Sequence, residues 1–105
     1  MSMDLSRMGR FSEPALLIMV TLAGGELHGY ALMEDIKRSF GVELGPGTLY
    51  GAIARLERQG LIEAVEGEER RRPYRLTQQG ETELRLQLES MQQIAAVGLN
   101  TLATR

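Results

Sequence analysis

Eleven of the twelve basic residues in this 105-residue chain are arginine, and six of the twelve fall between Arg55 and Arg75. A guanidinium group forks onto two acceptors at once, such as phosphate oxygens or the O6 and N7 edge of guanine. Arg55 and Arg58 are three residues apart, which on a helix puts them on one side. Gly47, Thr48 and Gly51 precede them on that side, and such short groups let a backbone approach another surface closely. Tyr50 lies off this face, where its hydroxyl could meet a phosphate while its ring packs beneath. Further on, Arg70, Arg71 and Arg72 form a basic run, followed by Arg75 and flanked by Glu66, Glu68 and Glu69. Together these residues suit a groove floor lined by phosphates, with the free N–H groups of a helix start favouring an anion. The plainer alternative is a solvated helix whose arginines pair with Glu57, next to a solvated charged loop.

Other chemistry is poorly supplied. The chain has no cysteine and one histidine, which excludes a Cys/His zinc site, a disulfide framework and a cysteine nucleophile, and which fits a reducing cytoplasm. Gly45, Gly47 and Gly51 approach a dinucleotide fingerprint, but the last glycine is one residue late and no strong parallel strand precedes them. His28 reads as a helix cap rather than a general base. Glu34 and Asp35 point about 100° apart on a helix and cannot share a proton across a substrate. No base is placed to activate a Ser or Thr. The reading is therefore not an enzyme, with no cofactor and no metal.

The elements that position the arginines follow from periodicity. Hydrophobic residues at 43% and charged residues at 25% are the proportions of one small globular domain. Arg7 and Arg10 before the apolar run Ala15 to Ala23 superficially imitate a leader, but a run of nine residues with a Thr among them is too short for a membrane span and Pro14 opens the run. Ser12-Glu13-Pro14 starts a first helix, Ser12 being available as its cap, and Gly24-Gly25 ends it. This helix is apolar nearly all round and must be central. Leu32, Ile36 and Phe40 mark an amphipathic second helix ended by Gly41. A third helix runs from about Gly47 to Gln59, with Leu49, Ile53 and Leu56 inward. A two-stranded hairpin follows, Leu61–Glu66 returning as Arg72–Leu76, with Pro73 expected on an outward edge because it cannot donate to a ladder. From Thr77 the chain is helical almost to its end, and Leu84, Leu88, Met91, Ala95, Gly98 and Leu102 repeat as a heptad seam.

Three helices and a hairpin make a winged helix-turn-helix, mostly α with a small β-hairpin and a long C-terminal helix. In that architecture the third helix enters the DNA major groove and the hairpin lies beside it. The stretches Leu27-His28-Gly29-Tyr30, Leu44-Gly45-Pro46-Gly47-Thr48-Leu49-Tyr50, Ala54-Arg55-Leu56-Glu57, Gly60-Leu61-Ile62 and Tyr74-Arg75-Leu76-Thr77 resemble the PadR family of bacterial transcriptional regulators, over roughly residues 12 to 105. The resemblance implies a homodimer that binds an inverted-repeat operator, usually as a repressor released by a small molecule or stress signal. The single C-terminal helix looks like the compact branch, in which that helix forms the dimer interface and some members hold flat hydrophobic compounds between subunits.

The expected organisation is an N-terminal arm over residues 1–11, a winged-helix DNA-binding domain over 12–77, and a dimerisation helix over 78–105. Double-stranded DNA is the expected partner, through Thr48, Tyr50, Gly51, Arg55, Arg58, Arg70, Arg71 and Arg72. The second partner is another copy of the chain, through Leu84, Leu88, Met91, Ala95 and Leu102, because a helix of roughly 40 Å outruns the small body. A small hydrophobic effector would contact Phe11, Leu88, Met91 and Ile94. Neither wing nor seam matches the family fully: Glu68 and Glu69 dilute the wing, and no aromatic follows Thr77. The formal charge of −2 keeps a second reading open, a winged-helix module that binds protein or small molecules without DNA.

Overall fold

The structure is a computed structural model that describes residues 13–66 and 72–105. Its elements are α1 (Pro14–Leu22), β1 (Leu27–His28), α2 (Gly29–Phe40), α3 (Pro46–Arg58), β2 (Ile62–Ala64), β3 (Pro73–Leu76) and α4 (Gln78–Thr104). The arm over 1–11, Ser12, Phe11, Arg70 and Arg71 lie outside the described residues.

Helix α1 begins at Pro14, whose missing donor costs nothing in a first turn, and Glu13 precedes it without a side-chain cap. Leu17, Ile18, Met19 and Leu22 are buried, and Ala15, Leu16 and Val20 pack against the same core, as an all-round apolar helix requires. It touches α2, α3 and α4. Truncating Ile18 or Leu49 to Ala would cost about 2–5 kcal/mol.

His28 does cap α2, its ring Nδ1 accepting from the Ala31 N–H at 3.4 Å. At the other end Gly41, with φ 70°, donates to the Lys37 carbonyl at 2.9 Å. Helix α3 ends in a paired cap. Gly60 (φ 75°) donates to the Glu57 carbonyl at 3.0 Å, and Leu61 to the Leu56 carbonyl at 3.0 Å. Leu49, Ala52, Ile53 and Leu56 of α3 are buried against the core, as their spacing predicts.

The sheet departs from the sequence-based expectation. It has three antiparallel strands in the order β1-β3-β2, with Leu27 opposite Tyr74, His28 opposite Pro73, and Ile62, Glu63 and Ala64 opposite Leu76, Arg75 and Tyr74. The hairpin strand carrying Pro73 is therefore central, not an edge. Proline is tolerated there because it is the first residue of β3, where its carbonyl still accepts from Val65 N–H at 2.8 Å.

Helix α4 is 27 residues long, yet only Gly80 and Leu84 are buried. The radius of gyration is 15.0 Å and the long axis 56 Å, where a compact chain of this length would have a radius of about 13 Å. Among the described residues no helix is long and apolar enough to cross a membrane.

Candidate nucleic-acid interface

The two faces of α3 are built for different neighbours. Its inner stripe is sealed, while Gly45, Pro46, Gly47, Thr48, Gly51, Arg55 and Arg58 are all exposed. A Cβ built on Gly45, Gly47 or Gly51 meets nothing within 4 Å, so the chain's own packing gives no reason for glycine at any of them. Each glycine inside a helix costs about 1 kcal/mol against alanine. Nothing in the described fold offsets that cost at Gly51, which lies inside α3.

The glycine at the start of α2 is different. A Cβ on buried Gly29 would lie 2.7 Å from Cζ of Tyr50 and closer still to its hydroxyl. The Tyr50 ring thus packs on the N-terminal turn of α2 and remains half-exposed, at 48%. Tyr30, beside Gly29, is more open at 64%, and sequence reasoning did not assign it a role.

The arginines divide into two groups. Among the described residues Arg55, Arg58 and Arg72 form no ion pair, and neither does Glu57, so the solvated-pair alternative finds no support there. Arg75 is held. Its Nε donates to Glu63 Oε1 at 2.8 Å, and its Nη1 lies 3.7 Å from Glu26 Oε2. The hydrogen bond and charge of Glu63, with Glu26 adding, raise the guanidinium pKa above its ordinary value. Arg75 therefore ties β3 to β2 and to the turn before β1, and it drops out of the free basic cluster that composition alone implied.

Tyr74 of β3 is partly buried and packs against the core. Burial pushes its phenol above the ordinary tyrosine value, Glu57 and Tyr50 push in the same direction, and Arg72 opposes them. The tip carrying Arg70 and Arg71 lies outside the described residues.

The expected seam is divided too. Leu84 is 5% exposed and belongs to the chain's own core, whereas Leu88, Ala95 and Leu102 are exposed and Met91 is half-buried. Leu88, Met91 and Ile94 do come together: with Ala23, Leu76 and Leu84 they line an open groove of about 740 Å³ along α4. Arg85, Glu81 and Glu89 line it as well. Among the described residues no cluster of His, Cys, Asp or Glu is arranged to hold a metal ion.

Residues 18–86, which contain most of α1, all of α2, α3 and the sheet, and the start of α4, match the transcriptional regulator PadR-like family. The chain belongs to this family. Its members are transcriptional regulators, not enzymes. This PadR-like regulator is 41% identical over 86 residues, 82% of its length and 25% of the relative's, to a 37.1 kDa protein in transposon TN4556 of Streptomyces fradiae. It is 36% identical over 56 residues, 53% of its length and 28% of the relative's, to the transcriptional activator GvpE2 of Halobacterium salinarum. The chain spans 25% and 28% of the length of these two curated relatives. Among solved structures, a transcriptional regulator from Clostridium thermocellum is 30% identical with a TM-score of 0.70, over 83% of this chain and 87% of that one. A PadR family regulator from Clostridium difficile has 26% identity and a TM-score of 0.75, over 85% and 97%. Bacillus subtilis PadR, solved in complex with operator DNA, has 26% identity and a TM-score of 0.61, over 70% of this chain and 44% of its own. The fold of this PadR-like regulator is a winged helix, and in this chain β1 completes its sheet.

Proposed function

We propose that this PadR-like regulator is a cytoplasmic, homodimeric repressor that binds an inverted-repeat operator in double-stranded DNA. In this reading residues 12–77 are the DNA-binding domain and residues 78–105 the dimerisation helix, with an arm over 1–11. The outer face of α3 enters the major groove. Gly47 and Gly51 let the helix sit deep, Thr48 and Arg55 read base edges, and Arg58 and the Tyr50 hydroxyl meet backbone phosphates. Arg70, Arg71 and Arg72 follow a phosphate ribbon at the wing. The observation that carries this reading is the α3 surface itself: glycines without an internal reason, beside arginines without an ion pair among the described residues.

Leu88, Met91, Ala95 and Leu102 meet their counterparts in the second subunit, which would cover much of the groove along α4. Part of it, at Leu88, Met91 and Ile94 with Phe11 from the arm, would then admit a small hydrophobic effector that releases DNA.

A gel shift at low salt, with the promoter DNA of the chain's own gene and its neighbours, tests the core of the reading. A shift at dimer stoichiometry is the expected result. A folded dimer that shifts nothing would favour a winged-helix module that binds protein or small molecules instead. Replacing Arg70, Arg71 and Arg72 together by Ala should flatten the salt dependence, by a slope of roughly 0.9 for each phosphate that is no longer neutralised. A reporter behind the same promoter tests the sign. Expression should rise when the regulator is deleted, and a fall would make it an activator, as GvpE2 is named. Flat hydrophobic compounds that leave both thermal midpoint and DNA affinity unchanged would remove the effector.

A further inference from the structure

The start of α4 is joined to the end of α3 more tightly than capping requires. Thr77 is half-buried between them, and its hydroxyl is used twice. It accepts from the Gly80 N–H at 2.9 Å, which caps α4, and it donates to the Gly60 carbonyl at 2.6 Å, in the left-handed turn that ends α3. The Thr77 backbone N–H donates to the Leu61 carbonyl at 3.1 Å. Gly80 is buried against the same turn: a Cβ there would lie 2.9 Å from the carbonyl carbon of Leu61 and nearer to its oxygen. One helical turn later Leu84 enters the core. Three ties, the doubly used Thr77 hydroxyl, the backbone contact at Gly80 and the core residue Leu84, therefore set the direction of α4 relative to α3.

That direction has a long lever. Beyond Leu84 no residue of α4 is buried. A tilt of about 10° at the joint would carry the far end of a helix of ~40 Å sideways by roughly 7 Å. That is about two base-pair steps of 3.4 Å.

We infer that Thr77 is a positioning residue for operator recognition: by tying the α4 cap to the Gly60–Leu61 turn it fixes the separation of the two α3 helices, and so the half-site spacing that the dimer accepts. The inference rests on the dimeric DNA-binding reading above. Capping alone needs an acceptor at position 77, whereas the joint needs a group that accepts and donates together. Serine meets both needs. Aspartate is a good cap but cannot donate to the Gly60 carbonyl when ionised. The series Thr77→Ser and Thr77→Asp therefore separates helix stability from geometry.

The full chain would first be used to select an operator from random-sequence duplex DNA. Affinity is then measured for that operator and for versions with one base pair inserted or removed at its centre. Wild type and Thr77→Ser should each lose about tenfold or more on the altered spacings, since each step changes both the distance and the rotation between half-sites. Thr77→Asp should keep the α4 helical signal and the dimer by sedimentation, yet lose only about twofold or less on those spacings. If Thr77→Asp does not fold as a dimer, Thr77→Ala carries the same comparison. A Thr77→Asp or Thr77→Ala dimer that discriminates spacing as steeply as wild type overturns the inference, as does a wild type that binds all spacings equally. A wild type that selects no DNA overturns the DNA-binding reading itself and this inference with it.

Discussion

The outer face of α3 and the distal half of α4 are both left uncovered by the same core, and they are made of opposite materials. On the outer face of α3 the exposed residues are Gly47, Thr48, Gly51, Arg55 and Arg58, while Tyr50 and Glu57 are exposed off that face. On α4 no charged residue occurs from Ser90 to Thr104, and Ile94, Val97, Leu99 and Leu102 are each more than half exposed. An apolar, uncharged helix face gains most from another apolar face, because water is then released from both. A face of small groups and guanidinium forks gains most from a close-fitting anionic surface with planar acceptors. The contrast teaches that exposure alone identifies no partner; what the uncovered atoms lack does.

The largest expected effect breaks the α4 side. Ala95→Glu puts a carboxylate on the seam where a small residue allows close approach, while its own chain leaves that position exposed. The monomer should keep its thermal midpoint, and the dimer should weaken by about 3 kcal/mol or more, on the order of 100-fold. Sedimentation equilibrium checks it, and a lower monomer stability would instead mean that α4 folds back on its own subunit.

Arg55→Ala acts on the other surface. Removing one bidentate base contact costs about 1–3 kcal/mol on the preferred operator and relaxes choice at one base pair. Equal loss on every sequence would reassign Arg55 to phosphate.

A smaller effect is expected at Arg75, where Arg75→Gln frees Glu63 and Glu26 and loosens the wing from the body. DNA affinity should fall modestly with no change in its salt slope. Arg72→Ala should lower that slope by roughly 0.9 if it meets one phosphate. The pair of measurements distinguishes a residue that positions the wing from one that contacts DNA.

The smallest effect is a pH dependence at the wing base. Because the Tyr74 pKa is raised in the fold, first by burial, its neutral phenol contributes stability that is fully present below the ordinary tyrosine pKa. That contribution is lost as the pH rises through the raised value. Tyr74→Phe should flatten the alkaline end of a denaturation profile, and an unchanged slope would remove the phenol from it.

What was legible in the sequence was local. The inner stripe Leu49, Ile53 and Leu56, the cap at His28 and the stop at Gly41 each depend on residues within a few positions. What was missed was set by pairing over distance. Strand β1 is two residues long, too short to show a period, and exists because Tyr74 and Pro73 come beside it. The same pairing makes the strand with Pro73 central. Arg75 looked like a free cation because Glu26 is 49 positions away, and Leu84 looked like part of an open seam because no periodicity reveals which seam residue the body covers. Thr77 was visible only as part of a motif; its second hydrogen bond goes 17 positions back, to Gly60.

The central claim is that the α3 outer face is shaped for something outside the fold, and Gly51→Ala tests it with two readings on one variant. Alanine fits the space at position 51 and favours helix, so the protein should become more stable by about 0.5–1 kcal/mol. Its affinity for the selected operator should nevertheless fall, because a methyl group now stands between α3 and the groove. A variant that gains stability and binds that operator as tightly as wild type would contradict the claim.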